Sequence, residues 1–223
     1  MLTPFYRITE MATKLEEMPI DDMGRKLSSD LIIENQYLKP YRLALMDAVV
    51  YALEKQGISF WVSDGTCLGT YRSSKMIPHD CDIDLMVHSD DMDKLDVDGY
   101  FPVWVGFRDQ RDNRNRRKVV FYNCNAPREC KFQDAHQQTS AELDLYTMIP
   151  GETPGTFRKQ DDRFPQSWNE NDIYPLKKDS FENRVVPVPN NMKSYLESVY
   201  GYIGEHAVWD ESIRRYRPLY GEV

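Results

Sequence analysis

Apolar residues first recur at helical spacing after Pro40, where they predict a helix. The residues on the apolar face of that helix are Met46, Val49, Val50 and Leu53. Pro40 suits the first turn and Gly57 suits the stop, so we expect the helix to lie between them. Residues 1–39 are mixed and charged, and they predict helical pieces that pack on the outside of the protein.

Alternating apolar positions and β-branched residues predict several strands beyond this helix. ISFWVSDG predicts a strand that ends at Gly65, and TCLGTYRSSK predicts a short helix that begins at or just after that glycine. The further predicted strands are CDIDLMV, YFPVWVGF, KVVFYNC, AELDLYTMI and RVVPVP. The last of these is an edge strand, because its prolines cannot donate hydrogen bonds to a ladder.

The remaining segments complete a prediction of one α+β domain. Residues 150–172 are rich in proline, glycine, asparagine and charge, and predict a long irregular segment. NNMKSYLESVYG predicts a helix that starts behind Asn190 or Asn191 and ends at Gly201. Because no repeat and no shift in composition marks a second unit, we place the domain at residues 40–223, with residues 1–39 as a helical extension packed on it.

Charge and cysteine content narrow the classes of function. A net charge of −8 and a pI near 5.1 argue against general nucleic-acid binding, which needs a basic surface, but they leave room for a local basic pocket. The N-terminal MLTPFYRITEMATKLEEM has no long apolar run, so we expect no signal peptide, no membrane span and a cytoplasmic protein. The spacing of the four cysteines favours reduced thiols over a zinc site.

Three aspartates occupy alternate positions of PHDCDIDL, at residues 78–85. Residues two apart in a strand share a face, so Asp80, Asp82 and Asp84 would point the same way. Two carboxylates about 5 Å apart repel by roughly 3 kcal/mol at an effective dielectric constant of 20, so a partly buried site needs a cation or a shared proton. Such oxygen ligands suit Mg²⁺ or Mn²⁺. The alternative is a solvated acidic turn that caps the next helix, which is the usual role of a charge run.

Two flanking features favour a metal site. Gly65 and Thr66 open a helix directly after a strand, where backbone N–H groups can approach a phosphate. Asp144 is a lone carboxylate between two leucines on a later strand, a position that also suits a buried, hydrogen-bonded aspartate. In this order the elements resemble the nucleotidyltransferase fold of the DNA polymerase β superfamily. The resemblance implies a mixed β-sheet flanked by helices, whose carboxylates hold a divalent metal against the phosphates of a nucleotide.

The segment DGTCLGTYRSSKMIPHDCDIDLMV is similar to the signature of the LicD family, which includes fukutin and fukutin-related protein. The matching positions are Gly65, Thr66, Leu68, Gly69, Arg72, Ile77, Pro78, Asp80, Asp82 and Asp84. His79 stands where the family usually has tryptophan, and Cys81 where it often has aspartate or tyrosine. The tail YPLKKDSFENRVVPVPNNMKSYLESVYG also resembles the family, so the resemblance runs from about Trp61 to Gly201.

This resemblance implies a phosphotransferase that moves a phosphorylated alcohol, such as phosphocholine or ribitol phosphate, from a CDP-linked donor to the hydroxyl of a carbohydrate acceptor. It implies that Asp82, Asp84 and Asp144 are the catalytic carboxylates and ligands of Mg²⁺ or Mn²⁺, with Asp144 also a candidate base for the acceptor hydroxyl. Asp80 and Asp64 would support these ligands, Asp80 by orienting Arg72 or a metal-bound water. The residues expected to bind the donor phosphates are Gly65, Thr66, Arg72, Lys177 and Lys178.

Several alternatives stay open. The arginine-rich segment 108–118 is either a substrate-binding loop or an exposed hairpin tip. Trp168, Tyr174 and Tyr195 either stack on a base or sugar or belong to the core and its rim. Other functions are nucleotidyl transfer to a protein, RNA or small molecule, and metal-dependent glycosyl transfer, which the roughly 60 residues before Gly65 do not favour. An inactive nucleotide-binding module is also conceivable, but it would have no reason to keep the repulsion among the carboxylates.

Overall fold

Helices and strands alternate along the chain in a computed structural model that describes residues 29–78, 80–96, 107–108, 116–123, 139–160, 167–204, 207–213 and 215–219. The helices in these ranges are α1 (Ser29–Lys55), α2 (Asp64–Ser73), α3 (Ser89–Met92), α4 (Glu170–Ile173) and α5 (Met192–Tyr200). The strands are β1 (Phe60–Val62), β2 (Ile83–His88), β3 (Phe107–Arg108), β4 (Arg116–Asn123), β5 (Thr139–Pro150), β6 (Thr156–Lys159), β7 (Ser167–Asn169), β8 (Lys177–Phe181), β9 (Arg184–Val188), β10 (Ala207–Asp210) and β11 (Arg215–Pro218). The predicted α+β class is confirmed.

A mixed sheet of seven strands has the parallel pair β2 and β5 at its centre. β1 lies antiparallel to β2 on one side, while β4 and then β3 continue the sheet beyond β5. The far end of β5 pairs with β6, which pairs with β7. The facing stretches at residues 83–87 of β2 and 143–148 of β5 are buried, and most of their side chains are apolar, as in strands covered on both faces. Asp84 and Asp144 are the acidic exceptions in this pair that lie directly opposite each other.

Helix α1 is longer than the pattern after Pro40 predicts. It begins at Ser29 and contains Pro40, so the predicted start at this proline is wrong. Leu38 on one side of the proline and Leu45 on the other are both buried, and such packing stabilises a helix more than local propensity does. α1 therefore runs through the predicted boundary between residues 39 and 40. The division into an extension and a domain stays a prediction, and residues 1–28 lie outside the described ranges.

Two other predicted segments differ from the structure. The predicted strand CDIDLMV begins only at Ile83, so Asp80 and Asp82 precede β2. The segment 150–172, predicted to be irregular, contains β6, β7 and the start of α4. Pro154 and Gly155 of this segment lie in a turn, but its strands exist because β6 pairs with the distant end of β5, which no local pattern reveals.

Most of the remaining predicted elements are present with shifted ends. β1 ends at Val62, three residues before Gly65, and α2 begins at Asp64, one residue before it, whereas β5 covers the predicted AELDLYTMI. β9 pairs only with β8 among the described strands, in agreement with its prolines. α5 begins after Asn191, whose side chain accepts a hydrogen bond from Ser194 N–H, and ends at Gly201. β4 covers most of the predicted KVVFYNC and pairs with β3, which overlaps the predicted YFPVWVGF only at Phe107, because residues 97–106 and 109–115 lie outside the described ranges.

The core joins the central sheet to the hairpin of β8 and β9 and to α5. Among its largest fully buried side chains are Trp61, Phe181 and Tyr195. Trp168 stacks on Tyr195 with ring centroids 4.9 Å apart, so these two aromatic residues belong to the core. The ring of Tyr174 is partly buried beside Trp61. Across the part of the chain that the structure describes, every helix is too short or too polar to cross a membrane.

We predict that Gly201→Ala destabilises the protein more than Gly155→Ala. Both glycines have positive φ, +81° and +76°, so each alanine has an unfavourable backbone conformation. A Cβ at Gly201 would also lie 2.6 Å from the carbonyl oxygen of Tyr216, whereas a Cβ at Gly155 meets nothing within 4 Å. We expect losses in the free energy of unfolding of about 2–4 kcal/mol and about 1 kcal/mol respectively. Denaturant titration measures the free energy of unfolding of both variants. Equal losses would show that the contact of the new Cβ with Tyr216 adds nothing to the backbone cost.

Candidate functional site

Three carboxylates converge where the chain enters β2. Carboxylate oxygens of Asp80, Asp82 and Asp84 lie within 4.8 Å of one another, and we call these residues the aspartate cluster. Only Asp84 belongs to the strand, so strand alternation does not account for the convergence as predicted. A turn brings Asp80 into place, because its N–H donates to the carbonyl of Ile77 at 3.0 Å.

The junction between β1 and α2 holds the backbone of Asp84 from both sides. Asp84 N–H donates to the hydroxyl oxygen of Thr66 at 2.9 Å, and Ser63 N–H donates to the Asp84 carbonyl at 3.0 Å. Thr66 is buried, so its side chain ties the first turn of α2 to β2. The neighbouring Asp64 has a φ of +41°, a conformation that a non-glycine residue adopts rarely. The start of the helix and the start of the strand are therefore one bonded unit.

Gly65 lies against the carboxylate of Asp80. A Cβ at this position would overlap Asp80 Oδ2, so only a glycine leaves room for that carboxylate. Within the described part of the chain, the buried Oδ2 of Asp80 accepts no hydrogen bond. The missing side chain of Gly65 therefore lets the carboxylate of Asp80 lie against the start of α2, with one buried carboxylate oxygen available for a ligand.

The surroundings make negative charge costly in the aspartate cluster. Burial, together with the charge of Asp82, raises the pKa of Asp80 to about 8, although Arg42 acts in the opposite direction. Burial raises the pKa of Asp84 well above its usual range, and the charges of Asp82 and Asp64 add to the effect. A cation would remove this cost, because it favours the ionised form of every carboxylate near it.

Asp144 lies beside Asp84 in the neighbouring parallel strand. Its side chain is fully buried, and the hydroxyl of Tyr146 donates to its Oδ2 at 3.4 Å. Side chains in register on adjacent strands share a face, so both carboxylates lie on the same side of the sheet. Asp144 is not part of the group of three whose oxygens all lie within 4.8 Å of one another.

The basic residues that the sequence predicts to bind the donor phosphates lie on two different elements, α2 and β8. Arg72 is in the last turn of α2, about 10 Å along the helix axis from Gly65, and donates to the carbonyl of Ile203 at 3.4 Å. Lys177 and Lys178 are exposed on β8, and the ammonium of Lys177 donates to the carbonyl of Asn190 at 2.6 Å. Segment 108–118 falls on β3, β4 and undescribed residues, and its side chains lie outside the description.

Two buried cations beside the cluster are absent from the sequence prediction. Lys159 of β6 is 8% exposed, and its Nζ lies 2.7 Å from Asp64 Oδ2. Arg42 of α1 is 2% exposed, and its Nη1 donates to the carbonyl of Asp80 at 3.4 Å. The sequence of α1 did contain a signal for Arg42. This arginine falls four residues after the buried Leu38, so both side chains lie on the same face of the helix. Lys159 had no such signal, because its position depends on the pairing of β6 with β5.

Comparison with known proteins agrees with these motifs. The family described as LicD/FKTN/FKRP, nucleotidyltransferase domain, matches residues 57–191. The Ribitol-5-phosphate transferase FKTN of Macaca fascicularis is 36% identical over 62 residues, 28% of this chain and 13% of the relative. The proteins of the same name from Homo sapiens and Mus musculus are 43% and 40% identical over 47 residues, 21% of this chain and 10% of each relative.

The matched segment therefore spans only about a tenth of the length of these relatives. The family match is much broader, since it extends from the end of α1 to the N-terminal cap of α5 and includes the aspartate cluster and Asp144. Because that match covers more than half of its residues, the chain belongs to the LicD/FKTN/FKRP family.

Proposed function

We propose that the protein is a metal-dependent phosphotransferase that moves a phosphorylated alcohol from a CDP-linked donor to a sugar hydroxyl. The observation that carries this proposal is the aspartate cluster packed against Gly65 at the start of α2, in a chain of the LicD/FKTN/FKRP family. The curated relatives are named ribitol-5-phosphate transferases, which supports a sugar-alcohol phosphate as the transferred group. The adjacent Asp84 and Asp144 support a nucleotidyltransferase fold.

The residues of the cluster fit Mg²⁺ or Mn²⁺. All three offer carboxylate oxygens, the ligands that these ions prefer, and Asp80 has a buried oxygen without a hydrogen-bond partner among the described residues. Asp82 and Asp84 would hold the ion, and Asp144 would be the third carboxylate of the site. A bound ion would neutralise the donor diphosphate and the charge that develops on the leaving CMP.

The protein's own groups would position the reactants and accept the proton. The acceptor oxygen forms a bond to the phosphorus that carries the alcohol, while the bond from that phosphorus to CMP breaks and CMP leaves with the electron pair. The hydroxyl proton passes to a carboxylate, for which Asp144 is our candidate because it lies beside Asp84 in the neighbouring strand. The N–H groups at the start of α2, around Gly65, would donate to a donor phosphate.

The product of the reaction distinguishes this proposal from nucleotidyl transfer. We would incubate the protein with CDP-choline and CDP-ribitol, Mg²⁺ or Mn²⁺, and a panel of sugar acceptors. Phosphotransfer releases CMP and leaves the alcohol phosphate on the acceptor. Nucleotidyl transfer instead leaves CMP on the acceptor and releases the alcohol phosphate, so mass spectrometry of the acceptor separates the two reactions.

CDP and Mn²⁺ together should raise the midpoint of thermal unfolding. A ligand at one hundred times its dissociation constant stabilises a folded protein by about 2.7 kcal/mol, which for a chain of this length corresponds to roughly 5–10 °C. Differential scanning fluorimetry measures the shift, with CDP alone and Mn²⁺ alone as controls. An unchanged midpoint under all three conditions would contradict both the metal site and the donor.

Asp82→Asn should reduce CMP release by at least about 100-fold, because a neutral amide cannot replace a carboxylate ligand of a divalent ion. Asp93→Asn is the matched control, since it removes one exposed carboxylate at the end of α3. We expect this control to keep its activity. If Asp82→Asn were as active as Asp93→Asn, Asp82 would not be a ligand.

Gly65→Ala should weaken the effect of Mn²⁺ on the unfolding midpoint, because its Cβ would displace the carboxylate of Asp80. Gly69→Ala is the control in the same helix, where the Cβ would instead overlap the carbonyl oxygen of Lys75. Both variants should lose about 1–3 kcal/mol of stability from overpacking. Only in Gly65→Ala should Mn²⁺ also raise the unfolding midpoint by less than in the wild type. An equal Mn²⁺ effect in both variants would show that Gly65 is not part of the metal site.

A further inference from the structure

We propose that Lys159 is a positioning residue, the internal counter-cation of the aspartate cluster. Its ammonium fixes Asp64 and balances part of the negative charge that Asp64 and the cluster bring together at the start of α2 and β2. This inference deepens the proposed function and rests on it for the identification of the cluster as the metal site. The charge balance itself can be tested without metal.

The position of Lys159 is defined by contacts from two directions. Its Nζ lies 2.7 Å from Asp64 Oδ2 and 3.5 Å from the centroid of the Tyr146 ring, where the face of the ring attracts a cation. The same Asp64 oxygen also accepts a hydrogen bond from the hydroxyl of Ser63, at 2.7 Å. The pairing of Lys159 with Met148 brings β6 to this place at the end of β5. The ammonium is thus held by the sheet on one side and by the start of α2 on the other.

Burial makes this lysine unusual. Lysine is almost never fully buried unless its charge is paired, since an ammonium loses its hydration there. Its neighbour Arg158 on the same strand is more exposed and, by strand alternation, points to the opposite face. The positive charge of Lys159 is therefore stable on this face of β6 because the carboxylate of Asp64 pairs with it.

The effect of the charge reaches beyond Asp64. Asp64 lies between Ser63, whose N–H donates to the carbonyl of Asp84 at 3.0 Å, and Gly65, against which the carboxylate of Asp80 lies. Arg42 approaches Asp80 from α1, where its Nη1 donates to the carbonyl of Asp80. The two buried cations thus approach the acidic site from separate elements, and Lys159 is the one on the side of Asp64 and Asp84.

A plain structural salt bridge between β6 and α2 is the competing explanation. That bridge would depend on Asp64 alone, whereas a counter-cation is coupled to the aspartate cluster as well. A double-mutant cycle separates these two cases, because it measures whether the effects of two substitutions are independent. We choose Lys159→Gln, which retains a hydrogen-bond donor for Asp64 but removes the charge, and Asp82→Asn, which removes the carboxylate whose charge acts on both Asp80 and Asp84.

In the absence of metal, we expect Lys159→Gln to lower the midpoint of thermal unfolding by roughly 5 °C or more. Adding Asp82→Asn should recover part of this loss, so that the double variant is more stable than the two separate effects predict. Lys159→Arg, which keeps the charge, should be less destabilising than Lys159→Gln. Arg158→Gln is the matched control, and its effect should add to that of Asp82→Asn.

Additive effects of Lys159→Gln and Asp82→Asn would overturn the proposal and leave a structural salt bridge. If Lys159→Gln alone does not fold, we expect the double variant to fold, because the uncompensated charge is then smaller. A double variant that also fails to fold would count against the proposal.

Titration with Mn²⁺ alone provides the second measurement. We expect Mn²⁺ to raise the unfolding midpoint of Lys159→Gln by more than that of the wild type, with roughly tenfold tighter binding, because the ion meets one less competing positive charge. Lys159→Arg and Arg158→Gln should respond as the wild type does. Equal shifts in wild type and Lys159→Gln would overturn the counter-cation role. No shift in the wild type would overturn the proposed metal site, while the metal-free cycle would still decide the role of Lys159.

Discussion

Repulsion between carboxylates at the entrance to β2 is the constraint around which this part of the structure is arranged. Two carboxylates about 5 Å apart repel by roughly 3 kcal/mol at an effective dielectric constant of 20, and here three carboxylates approach within 4.8 Å of one another. Burial increases the cost, as the raised pKa of Asp80 and of Asp84 shows. Such a site is stable because backbone hydrogen bonds hold it and two buried cations balance part of its charge.

The fold brings these compensating groups from distant parts of the chain to one place. α1 contributes Arg42, the junction of β1 with α2 contributes Thr66, and β6 contributes Lys159. The parallel pair β2 and β5 sets Asp84 beside Asp144 in a buried sheet, where a side chain has little freedom to move. Because the carboxylates lie on rigid elements or are bonded to them, the site is organised before a ligand arrives, which is what binding and catalysis of a charged substrate require.

Short-range features of the chain were predicted well. The glycine at the start of α2, the apolar run of β5, the prolines of β9 and the caps of α5 each act on their immediate neighbours, and the structure has these elements where the pattern placed them. The predictions that were wrong involve longer-range packing. Pro40 does not begin α1, because burial of Leu38 and Leu45 supports the helix on both sides of it. β6 and β7 were not predicted, because their segment is rich in residues that are typical of turns.

The sequence by itself determined the chemical character of this protein: the Gly-Thr helix start, the alternating aspartates and their resemblance to the LicD family are all contained within about twenty consecutive residues. The tertiary structure decided how those residues are supported. Lys159 reaches Asp64 across 95 positions of the chain, and Arg42 reaches Asp80 across 38. Motif spacing reports which groups are neighbours along the backbone, but compensation of buried charge depends on distance in space, which only the pairing of strands and the packing of α1 establish.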